Sequence, residues 1–399
     1  MDENSRKGPT GVDEMSRRGF LAGAAALAAG GIAALVTPQR TSGVLDADAS
    51  VSKAPVDTLL SGPKVPLCFH ADGSFRVMVV SDLHATGGSL DTHVAERMDM
   101  LIHLERPDLI ILGGDNVWRV KTLGEFEGCV RDIVAPMEER GIAWCHVFGN
   151  HDDWEGCPGK EEQQRFYESF DHCVSCAGPQ DVPGVGNYIL PIEAHDGDGP
   201  AFLLWALDSG GFLSYEAREL FMARDSAYAG FEKSPYEPLK CEQVLWYMNA
   251  SKTLEARFGR KIPGLMCFHI PLQECYNAWI NREDVNWDGH KGEDISASEI
   301  NSGMFNAILE RGDIHAMVFG HDHMNDYMVE FAGIKLMASS TISPLGYWDE
   351  SMAGVRMITL HEDGSCDARM SYLSGEQLWM DPGMSRLEDR TPGDMRDGD

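Results

Sequence analysis

Residues 144–152 read Trp-Cys-His-Val-Phe-Gly-Asn-His-Asp, an apolar run that ends in a glycine and three metal- or phosphate-binding side chains. A short apolar run is typical of a buried strand, and Trp144–Phe148 is therefore predicted as one. In α/β sheets, ligands collect at the carboxyl ends of strands. Asn150, His151 and Asp152 are accordingly candidate site residues, although a lone histidine after a strand is more often an ordinary core or surface residue.

The same arrangement recurs at four other places: Val80–His84, Leu112–Asn116, Phe268–Pro271 and Phe319–His323. One such block arises easily by chance, but five blocks at the ends of predicted strands form a strong signal. Together they supply two aspartates, one asparagine and four histidines as candidate metal ligands: Asp82, His84, Asp115, Asn150, His269, His321 and His323.

The rest of the chain alternates short apolar runs with amphipathic stretches, which predicts a sheet with helices packed on its faces. Early strands are predicted at Phe75–Ser81, Leu109–Leu112 and Trp144–Phe148, with helices at Val94–Leu104 and Phe126–Arg140, the latter broken near Pro136. Further strands are predicted at Tyr188–Ile192, Ala201–Leu207 and Gly264–Phe268, with helices at Cys241–Phe258 and Ala297–Glu310. Four closely spaced C-terminal strands are predicted to form a second sheet: His315–Phe319, Tyr327–Phe331, Lys335–Ala338 and Val355–Leu360.

In order, the blocks D-x-H, G-D-N, G-N-H-D, a lone His and G-H-x-H resemble the calcineurin-like metallophosphoesterase superfamily, from about Phe75 to Thr341. The blocks Trp205–Gly210 (WALDSG), Phe268–Leu272 (FHIPL) and Gly320–Tyr327 (GHDHMNDY) resemble its single-domain branch related to purple acid phosphatases. The resemblance implies an α/β fold of four layers, α/β/β/α, in which helices flank two mixed sheets. It also implies hydrolysis of phosphate monoesters by a metal-bridging hydroxide.

The resemblance further assigns the ligands to two metal ions that share Asp115. One ion would be held by Asp82, His84, Asp115 and His323, and the other by Asp115, Asn150, His269 and His321. Mixed carboxylate and imidazole ligands suit manganese, iron or zinc. Trp118 stands where purple enzymes carry a tyrosine ligand, so an iron–tyrosinate centre is not expected and the identity of the metals stays open.

His151 would face the phosphoryl group and stabilise its charge or protonate the leaving group. Asp152 would orient His151 through a hydrogen bond. Asp322 is interpreted either as a buried partner of the neighbouring ligands or as a surface carboxylate. The polar insertion Tyr276–Ser298 is interpreted either as a substrate-contacting loop or as a merely mobile one.

The N-terminal segment has the layout of an export signal, because Arg17 and Arg18 precede the charge-free run Gly19–Val36. This pattern resembles a twin-arginine signal, which predicts export through the Tat translocase and membrane contact only if the signal stays uncleaved. We therefore divide the chain into a signal (1–49), a linker (50–75), a catalytic domain (76–375) and a polar acidic tail (376–399).

The composition excludes one class of partner. The chain has 399 residues and a net charge of −30, from 63 acidic and 33 basic residues. Such a surface repels polyanions, so no nucleic-acid partner is expected, whereas a small anionic substrate is acceptable if metal ions reverse the sign locally. The ten cysteines are too sparse for a disulfide scaffold, and Cys173 and Cys176 are either a surface disulfide or free thiols.

Three functions are compatible with these patterns. The first is an exported phosphomonoesterase acting on small phosphate esters. The second is a phosphodiesterase for cyclic nucleotides or glycerophosphodiesters, because the same bimetal site serves both reactions. The third is a non-catalytic module that binds metal or phosphate.

Overall fold

The computed structural model describes residues 59–217 and 234–373. The predicted signal and the predicted acidic tail lie outside the described residues. The described strands are β1 Ser74–Val80, β2 Leu109–Leu112, β3 Ala143–His146, β4 Tyr188–Glu193, β5 Pro200–Ala206, β6 Gly264–Cys267, β7 Asn286–Asp288, β8 Ile314–Phe319, β9 Met328–Phe331, β10 Ile334–Ala338, β11 Gly354–His361 and β12 Cys366–Tyr372. The described helices include α1 Thr92–Glu105, α2 Leu123–Arg140, α3 Lys160–Tyr167, α4 Cys241–Phe258, α5 Gln273–Ile280 and α6 Met304–Arg311.

The strands form two mixed sheets. The five-stranded sheet has the order β12-β11-β1-β2-β3, and the seven-stranded sheet has the order β4-β5-β6-β8-β10-β9-β7. In the first sheet β1, β2 and β3 are parallel, and in the second β5, β6, β8 and β10 are parallel. The carboxyl ends of five of these parallel strands, β1, β2, β3, β6 and β8, therefore carry the five sequence blocks.

Apolar side chains fill three layers between and outside these sheets. Val77 and Val79 of β1 lie in the cluster shared by both sheets, whereas Met78 and Val80 lie in the cluster under α1, α2 and α3. This alternation follows from the two-residue period of a strand that is covered on both faces. A third cluster packs α4, α5 and α6 on the outer face of the seven-stranded sheet. The predicted four-layer α/β/β/α architecture is thus confirmed.

One strand lies in a different sheet from the one that we predicted. The segment Val355–Leu360 belongs to β11, which pairs antiparallel with β1 in the five-stranded sheet, with Val77 opposite Ile358. Periodicity along the chain identifies a buried strand but contains no information on its partner, because pairing is settled by tertiary packing.

Two helix predictions were also inexact. Helix α2 runs without a break through Pro136, because its buried face, including Ile133 and Met137 on either side, packs against the core and outweighs one missing backbone hydrogen bond. Helix α6 begins only at Met304, after Gly303 with φ 85°, so 297–303 is not helical.

Part of the predicted linker packs against the domain. Leu67 and Phe69 are buried, and Cys68 forms a parallel bridge with Glu193 at the end of β4. All ten cysteines lie among the described residues and are free thiols, Cys173 and Cys176 included. Within the described ranges, helices are too short or too polar to cross a membrane.

Candidate metal centre

The first two blocks are joined by backbone hydrogen bonds at the ends of β1 and β2. The Asp82 N–H donates to the Gly114 carbonyl at 3.0 Å, and the His84 N–H donates to the Asp115 carbonyl at 2.9 Å. Asp82, His84 and Asp115 have φ of 59°, 51° and 49°, and His321 has φ of 75°. Residues other than glycine rarely adopt this left-handed conformation, and such strain clusters at functional sites.

Two glycines of the motifs are required because residues of a neighbouring loop lie where a side chain would begin. A Cβ on Gly149 would lie 2.1 Å from Asp115 Oδ1, and a Cβ on Gly320 would lie 1.8 Å from Ser81 Oγ. Any larger residue would push apart the loops that carry the candidate ligands. The glycines in G-N-H-D and G-H-D-H therefore allow the blocks to converge.

The structure brings six of the predicted ligands together in two groups whose ligand atoms lie within 4.8 Å of one another, and a third group of the same kind joins His84 and Asp115 to His151. In the first group, His323 Nε2 lies 3.5 Å from Asp82 Oδ1 and 3.1 Å from His84 Nε2. In the second, which also contains His321, His269 Nε2 lies 3.2 Å from Asp115 Oδ2. His84 Nε2 is also 3.7 Å from Asp115 Oδ2, so Asp115 lies between the two groups.

Several of these ligand atoms are buried without a hydrogen-bond partner, namely Asp82 Oδ1, Asn150 Oδ1, His269 Nε2 and His321 Nε2. Leaving a buried polar atom unpaired costs about 1–3 kcal/mol, so four such atoms at one place indicate a bound group. His269 Nδ1 donates to the Gly113 carbonyl at 2.9 Å, which fixes the ring with Nε2 facing Asp115. Carboxylate, amide and imidazole ligands without a thiolate fit two ions of the manganese, iron or zinc type.

The charged and titratable side chains of the centre shift one another's pKa values. Burial would raise the pKa of Asp115, but the facing His269, His151 and His84 hold this pKa well below its usual range. Burial would likewise lower the pKa of His269, but Asp115 and Asp82 raise it to about 10. Burial and the neighbouring histidines lower the pKa of His84 and of His321 well below the usual value. Both rings are therefore neutral, the form that binds metals.

His151 lies beside the two groups. Its N–H donates to Asp115 Oδ1 at 2.8 Å, and its ring Nε2 lies 3.9 Å from Asp115 Oδ2. The ring stacks on Trp154 at 5.3 Å and 15° and meets the edge of Phe212 at 6.0 Å. Burial lowers the pKa of His151, so the ring is neutral before an anion binds.

Asp152 does not make the predicted hydrogen bond to His151, whose Nδ1 has no hydrogen-bond partner. The Asp152 carboxylate instead accepts from the N–H groups of Val117, at 3.0 Å, and Gly149, at 2.8 Å. It therefore braces the loops of the second and third blocks against each other. Adjacency in sequence suggested the wrong partner because the turn directs the two side chains apart.

The sequence did not predict the aromatic contacts around the histidines, and it identified Trp118 only as the residue in place of a tyrosine ligand. The ring of Tyr236 meets His321 at 4.3 Å, and the ring of Tyr347 stacks on His323 at 4.2 Å and 7°. Trp118 meets His84 at 5.8 Å. These rings come from separate loops without a motif, so no local signal identified Tyr236 or Tyr347.

The insertion Tyr276–Ser298 is partly regular, since it contains the end of α5 and strand β7, which pairs with β9. Of the two interpretations of Asp322, the buried one is confirmed. Its carboxylate accepts from the Ser296 N–H at 3.1 Å and from Asn325 Nδ2 at 3.0 Å. Asp322 therefore fastens the insertion to the loop that carries His321 and His323.

Two helix-flanked sheets with this cluster of carboxylates and imidazoles at their strand ends define a metallophosphoesterase. The sequence profile of the calcineurin-like phosphoesterases matches residues 75–325, and the chain belongs to this family. The family resemblance that the sequence blocks indicated is thus confirmed.

Individual relatives are similar over most of the chain. Probable inactive purple acid phosphatase 14 of Arabidopsis thaliana is 28% identical over 81% of this chain and 83% of its own length. Probable inactive purple acid phosphatase 29 of the same plant is 28% identical over 68% and 72%. Phosphatase DCR2 of Saccharomyces cerevisiae is 26% identical over 64% and 45%. A solved dimetal phosphatase from Danio rerio aligns with a TM-score of 0.49 at 12% identity, over 74% of this chain and 98% of that one.

Proposed function

We propose that the protein is an exported, metal-dependent phosphomonoesterase that hydrolyses small phosphate esters. The observation that carries this proposal is the convergence of six ligand-type side chains, three of them with buried and unpaired ligand atoms, together with the buried and unpaired Asn150 Oδ1. Asp82, His84 and His323 would hold one ion. Asn150, His269 and His321 would hold the other, and Asp115 would serve both.

Bound ions of this kind supply Lewis acidity, which activates water and polarises the phosphoryl oxygens. The remaining work falls to side chains of the chain. His151 is positioned to hydrogen-bond the phosphoryl group or to protonate the leaving oxygen through its ring. Trp154 and Phe212 restrict the orientation of that ring through the contacts described above. The neutral Asn150 leaves more positive charge for an anionic substrate than a carboxylate would.

Preference for monoesters is supported by the relatives, which are named as phosphatases. The word "inactive" in several of those names favours a second candidate, a metal-binding module without turnover. Against it, every block of ligand-type residues is intact here, and so is His151.

The deciding experiment compares p-nitrophenyl phosphate with bis-p-nitrophenyl phosphate as substrates. The chain from residue 50 onward would be reconstituted with manganese, iron or zinc, with Asp115→Asn as the metal-site control. Faster monoester turnover that is lost in the control supports the proposal, and faster diester turnover supports a phosphodiesterase. Two bound metals with turnover of neither ester would favour the binding module.

A further inference from the structure

A short part of the polar insertion, residues 290–296, runs alongside the loop 321–326 that carries two candidate ligands. We call residues 290–296 the brace segment. The Gly292 N–H donates to the Met324 carbonyl at 2.9 Å, and the Glu293 N–H donates to Asn325 Oδ1 at 3.2 Å. Together with the bond from Ser296 to Asp322, these contacts fix the brace segment to the ligand loop.

The side chain of Glu293 contacts both the ligand loop and Tyr347. Its Oε1 accepts from the Met324 N–H at 2.7 Å, directly after His323. Its Oε2 accepts from the Tyr347 hydroxyl at 2.6 Å. Both carboxylate oxygens accept from donors on two different loops, and the groups of candidate ligand atoms do not include Glu293, so it acts as a connector between these loops.

Tyr347 in turn holds the ring of His323 in two ways. Its own ring stacks on the imidazole, as described above, and its carbonyl accepts a hydrogen bond from His323 Nδ1 at 2.7 Å. The carbonyl fixes the tautomer, with Nε2 free for a metal, and the stack fixes the plane of the imidazole. His323 is thus clamped between its own loop and Tyr347, and Glu293 ties these two together.

We infer that Glu293 is a positioning residue for one of the two metal sites, the one that contains Asp82, His84 and His323. The inference rests on the metal centre of the proposed function but not on its catalytic activity. It assigns a role in metal binding to the insertion, which lies outside the five sequence blocks that carry the candidate ligands. Outer partners of metal-bound histidines typically change metal affinity by about 10–100-fold when they are removed.

The test is a titration of the metal-depleted full chain with Mn²⁺, in which the concentration of free Mn²⁺ is measured by electron paramagnetic resonance. Glu293→Ala should weaken one of the two Mn²⁺ sites by about 10–100-fold and leave the other within about threefold. Glu293→Gln should restore most of the affinity, because its amide can accept from Met324 and donate to the Tyr347 hydroxyl oxygen. Wild-type affinity in Glu293→Ala would overturn the inference, and so would equal weakening of both sites or a failure of glutamine to rescue.

Two further variants make the test specific. Asp294→Asn is the matched control, because Asp294 is the next acidic residue, is 77% exposed and pairs with Lys291 of the same segment. It should bind both ions as the wild type does, and a loss equal to that of Glu293→Ala would contradict the inference. If Glu293→Ala does not fold, Tyr347→Phe, which keeps the ring and the carbonyl, should still weaken the same site by severalfold, and unchanged affinity there would overturn the inference.

The readouts separate this inference from the proposed function. A chain that binds two Mn²⁺ ions but hydrolyses no ester would refute the proposed function and leave the role of Glu293 intact. A chain that turns over a monoester, with Mn²⁺ affinity unaffected by Glu293→Ala, would refute the role of Glu293 alone.

Discussion

His151 is attached to the candidate metal centre through its backbone, whose N–H donates to Asp115 Oδ1. Its ring is therefore free to act on a substrate, and removing the ring should leave the ligands in place. We expect His151→Ala to keep both metals and to lower kcat by about 10²–10⁴-fold, the usual contribution of a general acid. The measurement is kcat on a monoester together with the metal content of the purified protein.

The control for this prediction is His361→Ala, which removes a histidine of β11 paired with the exposed Asp367. It should leave kcat unchanged. Wild-type turnover in His151→Ala would exclude the general-acid role, and loss of a metal would show that His151 is itself a ligand.

At the residue scale, the convergence of the candidate ligands could be predicted from the sequence, whereas the residues that brace them could not. Asp82 and Asn150 lie in short blocks at strand ends. There, metal-binding residue types and their position directly after a buried strand together indicate a site. Asp152 was assigned to His151 because the two are adjacent, but it braces the backbone instead. Glu293 and Tyr347 meet only through tertiary packing, and a single sequence has no pattern that links two such distant loops.

At the scale of the elements, the ends of β1 and β8 make the tightest contact between the two sheets. Gly320 follows β8 and faces Ser81, which follows β1, so an added methyl group there would overlap Ser81 Oγ. We expect Gly320→Ala to lower the free energy of unfolding by about 1–3 kcal/mol, as overpacking does, and to weaken metal binding. Urea denaturation of the metal-free protein measures the first effect and Mn²⁺ titration the second.

Gly124→Ala in α2 is the matched control, since nothing lies within 4 Å of its added Cβ. It should be neutral or slightly stabilising, because alanine is the better helix former. The double variant Ser81→Gly/Gly320→Ala should recover part of the lost stability. If Gly320→Ala were as stable as the wild type, the close approach of the two sheets at this point would be wrong.

Strand β3 contains a buried histidine that should make stability depend on pH. His146 stacks on Tyr167 at 3.8 Å, and burial lowers its pKa from 6.5 to about 3. Below about pH 6.5 the unfolded chain binds a proton that the folded chain does not accept until about pH 3. The contribution of His146 to the free energy of unfolding should therefore fall as the pH drops from about 6.5 to about 3. The slope should reach up to about 1.4 kcal/mol per pH unit.

Urea denaturation of the wild type and of His146→Gln between pH 7 and pH 4 measures this contribution as the difference between the two proteins. The difference removes the titration of the metal centre, which both share. We expect the wild type to lose stability more steeply than the variant on acidification. Parallel curves would show that His146 is protonated in the folded state.

Element types could be predicted from the sequence because strands covered on both faces are apolar and short, as in Leu109–Leu112, whose bounds were predicted correctly. What could not be predicted is which strands pair. The partner of β11 was predicted wrongly because nothing local distinguishes a strand of one sheet from a strand of the other. The late start of α6 was missed because the left-handed φ of 85° at Gly303, which a helix does not accommodate, cannot be read from the spacing of apolar residues.

At the scale of the whole molecule, the proposed export depends on the paired arginines of the N-terminal segment. Replacing Arg17 and Arg18 by lysine should block export through the twin-arginine route, because that route requires the arginine pair. Fractionation of cells that express the full chain would measure the exported share. Undiminished export of the Lys-Lys variant would refute the proposed route without bearing on the metal centre.

The pairing of β1 with β11 has a consequence for how the chain is made. Strand β1 precedes the other described strands in the chain, but Ile358, the partner of Val77, lies in the last but one of them. Contacts of such long sequence separation form slowly, because closing the loop is entropically costly. The five-stranded sheet cannot close until β11 has been synthesised, so β1 exposes one edge until then. We therefore expect the nascent chain to need protection at that edge by a chaperone until β11 has left the ribosome.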